Sequence, residues 1–182
     1  MPATLEIFKK YSNRYFVETG THLGEGLQFA LNAGFTWIRS VELDNRLFGR
    51  MDVLYGNNQH VTLYHGKSQE LLKKMIRDIN EPITFWLDAH YSGSGTARSE
   101  IDAPLLQELQ IIRDHHIENH TILIDDIRLL GQKELSFITL EQIKNIFKEN
   151  YKFSFENGRI MHQEFVDDIL VIQHEGQKNE DQ

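Results

Sequence analysis

Short β-prone runs and helical stripes alternate along nearly the whole chain. Tyr15-Phe16-Val17-Glu18 reads as a first strand that stops at Gly20, and a helical pattern follows with Leu23, Leu27, Ala30 and Leu31 on one face. Residues 37–41 predict a second strand ending in Glu42-Leu43-Asp44, then a helix from about Asn45 towards Tyr55 that Gly56 closes. Residues 60–64 predict a third strand. After His65-Gly66-Lys67, Ser68 is placed to cap a helix bearing Leu71, Leu72, Met75, Ile76 and Ile79. Pro82 opens Ile83-Thr84-Phe85-Trp86-Leu87, an apolar run typical of a strand covered on both faces. A helix from roughly Ala103 to His116 carries Leu105, Leu109 and Ile112 in register, and residues 120–124 predict a fifth strand closed by Asp125-Asp126. Thr139 with Gln142 has the form of a capping box ahead of Ile143, Ile146 and Phe147. Residues 151–156 and 169–173 are β-prone, with Asn157-Gly158 expected to turn the chain between them and residues 174–182 expected to fray.

Five consecutive strand-then-helix units predict an α/β fold with a parallel sheet and helices on both faces, because each right-handed crossover must cover the sheet. No linker, repeat or low-complexity tract interrupts residues 1–182, which read as a single domain. In such folds ligands bind beyond the carboxyl ends of the strands, near the switch in strand order. Those ends carry Glu18-Thr19-Gly20, Glu42-Leu43-Asp44, His65-Gly66-Lys67, Asp88-Ala89-His90 and Asp125-Asp126. Polar chemistry collects where the topology would use it.

Composition narrows the chemistry. With 182 residues and 40% hydrophobic content the chain can bury a real core. It has no Cys, which excludes disulfides, thiolate catalysis and sulfur-ligated metals. Nineteen Lys and Arg against 27 Asp and Glu give a net charge of −8, which argues against a nucleic-acid partner, since that affinity comes mainly from cations on phosphate. No apolar run approaches the ~20 residues of a membrane span, and no signal-peptide core opens the chain, so a cytoplasmic location without membrane attachment is expected. Cationic ligands and divalent metals fit the charge.

Gly20-Thr21-His22-Leu23-Gly24-Glu25-Gly26 follows a strand and opens a helix. Gly20 allows a tight turn, and Gly24 and Gly26 allow close approach to the backbone, but the spacing is not that of dinucleotide-phosphate binders. Glu42, roughly twenty residues on, is an acid at the end of the second strand that can take both hydroxyls of an adenosine ribose. Together the two elements predict an adenosine-containing cofactor.

On these residues the chain resembles the class I S-adenosylmethionine-dependent methyltransferases. Val17 to Gly26 is similar to their first motif, and Val41-Glu42-Leu43-Asp44 to their acidic second motif. Tyr64-His65-Gly66 with Leu71, Phe85 to His90, and Ile122 to Asp126 are similar to their segments at strands three, four and five. The resemblance spans about residues 13 to 173. It implies a three-layer Rossmann-like sandwich whose mostly parallel seven-stranded sheet has an antiparallel last strand. It also implies S-adenosyl-L-methionine as cofactor, held by Glu18, Gly20, Thr21, Gly24, Gly26, Glu42, Ser68 and Asp88. Lys67 stands where many relatives have an acid that contacts the adenine amino group; an ammonium cannot accept that bond, and Ser68 or Gln69 is the expected substitute.

Asp88, Asp125 and Asp126 end neighbouring strands, where their carboxylates can converge on a hard divalent ion such as Mg2+. The small metal-dependent O-methyltransferases place acids there, so the resemblance implies metal assistance. Asp88 and His90 are the expected catalytic residues, His90 as a base with a pKa suited to removing a hydroxyl proton. His115, His116 and His120 read as positive partners of a helix end rather than metal ligands. The expected reaction is O-methylation of a small molecule or sugar unit. Few residues exceed the core fold, which leaves a second subunit of a homo-oligomer free to complete the pocket. The competing readings are a nicotinamide-dependent oxidoreductase, disfavoured by the glycine spacing and Glu25, and a non-catalytic scaffold, disfavoured by Glu42 and Asp88.

Overall fold

The computed structural model describes residues 4–88, 104–147, 149–160 and 163–176. His90 lies outside them, as do the neighbouring residues 89–103. Chain order is α1 (Leu5–Lys10), β1 (Tyr15–Thr19), α2 (Glu25–Ala33), β2 (Trp37–Glu42), α3 (Asn45–Tyr55), β3 (Val61–His65), α4 (Ser68–Ile76), β4 (Ile83–Leu87), α5 (Leu105–Arg113), β5 (Thr121–Ile124), α6 (Leu140–Ile146), β6 (Tyr151–Ile160) and β7 (Gln163–His174). The strands form one seven-stranded sheet in the order β3-β2-β1-β4-β5-β7-β6. β1 to β5 pair in parallel, while β7 runs antiparallel to both β5 and β6. The expected mostly parallel sheet with an antiparallel last strand is the observed one.

Side-chain alternation builds the three layers. On one face Val17, Phe85, Ile122, Ile124, Leu170 and Ile172 pack under α4, α5 and α6 through Leu72, Met75, Leu109, Ile112 and Ile143. On the other, Phe16, Trp86, Leu123, Ile169 and Val171 pack under α1 and α2 through Ile7, Phe8, Leu27 and Ala30. Neighbours in sequence thus belong to opposite layers, as a period of two requires. β4 sits at the centre with every residue buried, which is why its sequence shows no polar alternation. Among the described residues no helix is long and apolar enough to cross a membrane.

Several boundaries depart from the pattern in the sequence. α1 carries no strong periodic signal; Thr4 accepts from the Ile7 amide at its start, and Ile7 and Phe8 are buried. α2 begins at Glu25, so Leu23 falls in the preceding turn and is exposed, because Gly24 at φ 81 sets the helix start after it. Lys67, not Ser68, occupies the cap position of α4, and Ser68 is its first helical residue. Asn157-Gly158 does not turn the chain. The ladder shifts register there, with Glu156 paired to Ile169 and Gly158 to Phe165, and the hairpin continues to the pair Ile160 and Gln163. Asn157 satisfies the irregularity by accepting from the Asp167 amide at 3.1 Å and donating to Glu164 at 2.9 Å. The capping box of Thr139 and Gln142 is formed.

The histidines also differ from expectation. The Ile83 amide donates to His120 Nδ1 at 3.0 Å, so His120 carries its proton on Nε2 and donates to His115 Nδ1 at 2.9 Å. His115 in turn donates from Nε2 to the Ile76 carbonyl at 3.0 Å. Each ring has one donor and one acceptor position filled, which fixes both as neutral. They are therefore not cationic partners of a helix end. Burial holds His120 down at about 3, and the neighbouring His115 and His116 rings oppose its protonation in the same direction. The unfolded state gains its proton near pH 6.5 and the folded state only near 3, so this group removes stability as pH falls through that window. His120→Asn keeps an acceptor for Ile83 but cannot titrate. Urea unfolding of this variant is expected to lose less stability than the parent between pH 7 and pH 4.

Candidate functional site

The parallel strands all end on the same edge of the sheet, and the order reverses between β1 and β4. At that edge β1 ends in Glu18 and Thr19, β2 in Glu42, β4 in Leu87 before Asp88, and β5 in Ile124 before Asp125. The Asp88 amide bonds the Thr19 carbonyl at 3.1 Å and the Asp125 amide bonds the Leu87 carbonyl at 3.1 Å. These bonds carry the ladder one residue beyond each strand, so backbone register positions both acids.

The glycine turn is fastened to β2. Gly20, at φ 87, and Thr21 both donate to the Val41 carbonyl, at 3.0 and 3.2 Å. Glu42 is buried, and its two carboxylate oxygens accept the His22 and Asp44 amides at 2.8 Å each. Beneath them Thr21 and Ser40 hydroxyls meet at 2.6 Å, and Ser40 donates to Glu18 at 2.6 Å. Gly24 has a packing reason that sequence reasoning does not supply. A Cβ there would lie 2.6 Å from Met51 Sδ on α3, at a φ of 81 that side chains rarely adopt. Gly26 is buried in the first turn of α2. Asp44 caps α3 by accepting from the Arg46 and Leu47 amides.

Asp88, Asp125 and Asp126 each offer a carboxylate oxygen to one group whose ligand atoms all lie within 4.8 Å. Their convergence is the arrangement the strand ends predict. Asp125 Oδ1 accepts the Asp126 amide at 2.7 Å, while Asp125 Oδ2 is buried with no hydrogen-bond partner among the described residues. Burial pushes the Asp125 carboxyl well above its usual range, and the Asp88 and Asp126 charges push the same way. Burial likewise raises Glu18 to about 8, against the Ser40 hydrogen bond and together with the Asp88 and Glu42 charges.

Glu108 belongs to the same neighbourhood, and sequence reasoning misses it. It lies on α5, is 1% exposed, and burial raises it to about 7 while the Ser68 and Thr19 hydroxyls pull it down. An acid within the stripe of Leu105, Leu109 and Ile112 is the signal that marks it. Ser68 is buried and faces this acid. Lys67 pairs with Glu70 at 3.4 Å. His90 lies outside the described residues, so its approach to this group is not part of the geometry.

The arrangement offers the remaining acceptor positions of the Glu42 carboxylate and an all-oxygen ligand set at the three aspartates, divided by the end of β1. Comparison with known proteins agrees with the fold. The chain is similar to the O-methyltransferase TomG from Streptomyces achromogenes, solved in complex with SAM: 9% identity over 93% of this chain and 77% of that one, TM-score 0.66. It is similar to an O-methyltransferase from Bacillus cereus solved with SAH, at 10% identity over 93% and 78%, TM-score 0.65. It also matches spermidine synthase from Thermotoga maritima, at 10% identity over 98% of this chain and 60% of that one, TM-score 0.62. No protein-family profile and no curated protein matches. The chain has the fold of the class I S-adenosylmethionine-dependent methyltransferases.

Two expectations follow from the site. Gly24→Ala must displace Met51 and strain the turn, and is expected to destabilise the protein by about 1–3 kcal/mol in denaturant unfolding. Glu18 keeps its proton to about pH 8 when folded but loses it near 4.5 when unfolded, so its contribution to stability is present at low pH and lost as pH rises between those values. Glu18→Gln is therefore expected to raise the ligand-free melting temperature at pH 8 more than at pH 5.

Proposed function

We propose that the chain is an S-adenosyl-L-methionine-dependent methyltransferase that methylates a hydroxyl on a small molecule or sugar unit, assisted by a divalent cation such as Mg2+. The observation that carries this reading is the placement of Glu42 and the aspartate group on either side of the strand-order switch. The O-methyltransferase names of two of the similar structures, and the SAM and SAH bound in them, support it.

A carboxylate has about four lone-pair positions, and the His22 and Asp44 amides occupy two of those on Glu42. The remaining positions accept the two ribose hydroxyls. The turn at Gly20 and Thr21 and the first turn of α2 border the methionine part of the cofactor, and the acidic lining suits its positive sulfonium. Ser68 stands at the adenine side. Asp88, Asp125 and Asp126 fit a hard cation, because their donors are all oxygen and the buried Asp125 Oδ2 has no partner among the described residues. When bound, such a cation lowers the pKa of an acceptor hydroxyl and orients it. His90 keeps, from the sequence alone, the role of base for the hydroxyl proton. The protein's remaining task is alignment of nucleophile, methyl carbon and leaving sulfur.

With a net charge of −8 the acceptor is a small molecule or sugar rather than a nucleic acid. Calorimetric titration with SAH tests the cofactor half. Binding is expected, with a loss of about 10–100-fold for Glu42→Ala, the size of a hydrogen bond to a charged group. Absence of SAH binding to the folded parent would overturn the proposal.

A further inference from the structure

Arg128 lies in the short 3-10 turn Ile127–Leu129 that follows the aspartate group, and it joins that group to the neighbouring strand β7. Its Nη1 is 2.6 Å from Asp126 Oδ1, and the same nitrogen donates to Asp168 Oδ2. The Arg128 backbone amide donates to Asp168 Oδ1 at 3.3 Å. Asp168 is only 1% exposed and belongs to β7, so it is a rigid anchor. The guanidinium carbon sits 4.7 Å from the centre of the Phe165 ring, which supports the plane of the cation. Asp126 itself stands at φ 54, a left-handed backbone that Asp tolerates better than most residues.

These contacts define a chain of restraint running from β7 through Arg128 to Asp126. Burial of Asp168 fixes the guanidinium, the guanidinium holds the Asp126 carboxylate, and Asp126 has its amide on Asp125. We infer that Arg128 is a positioning residue of the carboxylate group: it holds Asp126 in place beside Asp88 and Asp125 by tethering it to β7. The inference rests on the cation-binding reading above and extends it to a residue outside the three carboxylates.

The opposite role makes an opposite prediction. A positive charge that merely sits near three carboxylates repels a second cation, so its removal would tighten cation binding. A positioning residue, when removed, weakens binding, by about 10–100-fold for residues that orient metal ligands. The sign separates the two.

The test is titration of the full chain with Mn2+, following the free-ion signal by electron paramagnetic resonance. Arg128→Met is expected to weaken Mn2+ binding about tenfold or more, and Arg128→Lys to regain part of the loss. Asp126→Asn combined with Arg128→Met is expected to bind no more weakly than Asp126→Asn alone, since both remove one interaction. Arg128→Met leaves Asp168 buried without its cation, so Arg128→Met with Asp168→Asn serves as a second variant that removes both charges; it is expected to weaken binding as well. Unchanged or tighter binding in the folded variants, or additive losses, would overturn the inference while leaving the cation site intact. No binding to the parent chain would instead overturn the cation site, and the inference with it.

Discussion

The carboxylate of Glu42 fastens together the two loops that follow the neighbouring strands β1 and β2. One oxygen takes the His22 amide from the turn after β1, and the other takes the Asp44 amide from the turn after β2, both at 2.8 Å. Bonds to an ionised acceptor are stronger than neutral ones, and here they are shielded from water by burial. The Val41 carbonyl adds two further bonds to the same turn, and the hydroxyl line from Thr21 through Ser40 to Glu18 lies beneath it. The glycine turn therefore cannot drift from the end of β2. Any ligand that spans the two loops meets a preformed surface.

The same topology that creates this surface concentrates acid. Parallel strands end on one edge, and five of the residues at or near that edge, Glu18, Glu42, Asp88, Asp125 and Asp126, are carboxylic. Two of them are buried deeply enough, with Glu108 behind, that burial favours their neutral forms. Without a ligand the protein accommodates the crowding with protons and hydrogen bonds. The cation of the proposed reaction would replace those protons with a charge the carboxylates prefer. The negative edge would thus favour the sulfonium cofactor and divalent ion of the proposed reaction over anions.

Most of the fold was legible because it depends on local patterns. The apolar run of β4 predicted burial on both faces, and Thr139 with Gln142 predicted the start of α6. The strand-end acids were legible because the α/β rule says which edge to inspect, and Asp88, Asp125 and Asp126 do converge. What escaped the sequence depends on partners distant along the chain. Gly24 is required by Met51 on another helix. His120 is neutral because an amide 37 residues away claims its Nδ1. The Asn157-Gly158 pair imitates a hairpin turn, but the flanking strands have enough matching partners to continue past it, so the pair becomes an irregularity inside the ladder. Arg128 and Asp168 are forty residues apart, and only the antiparallel return of β7 makes them neighbours.

That return has a structural consequence. Ile124 at the end of β5 pairs with Leu170, so the part of β7 from Gln163 to Ile169 rises beyond the sheet edge alongside Asp126. The proposed grip on the nucleoside comes from the first third of the chain, whereas the opposite rim is raised by the last. Evolution can lengthen, shorten or recolour that hairpin crest without disturbing a single bond of Glu42. A scaffold divided in this way can change one rim of its edge while the glycine turn and Glu42 on the other stay constant.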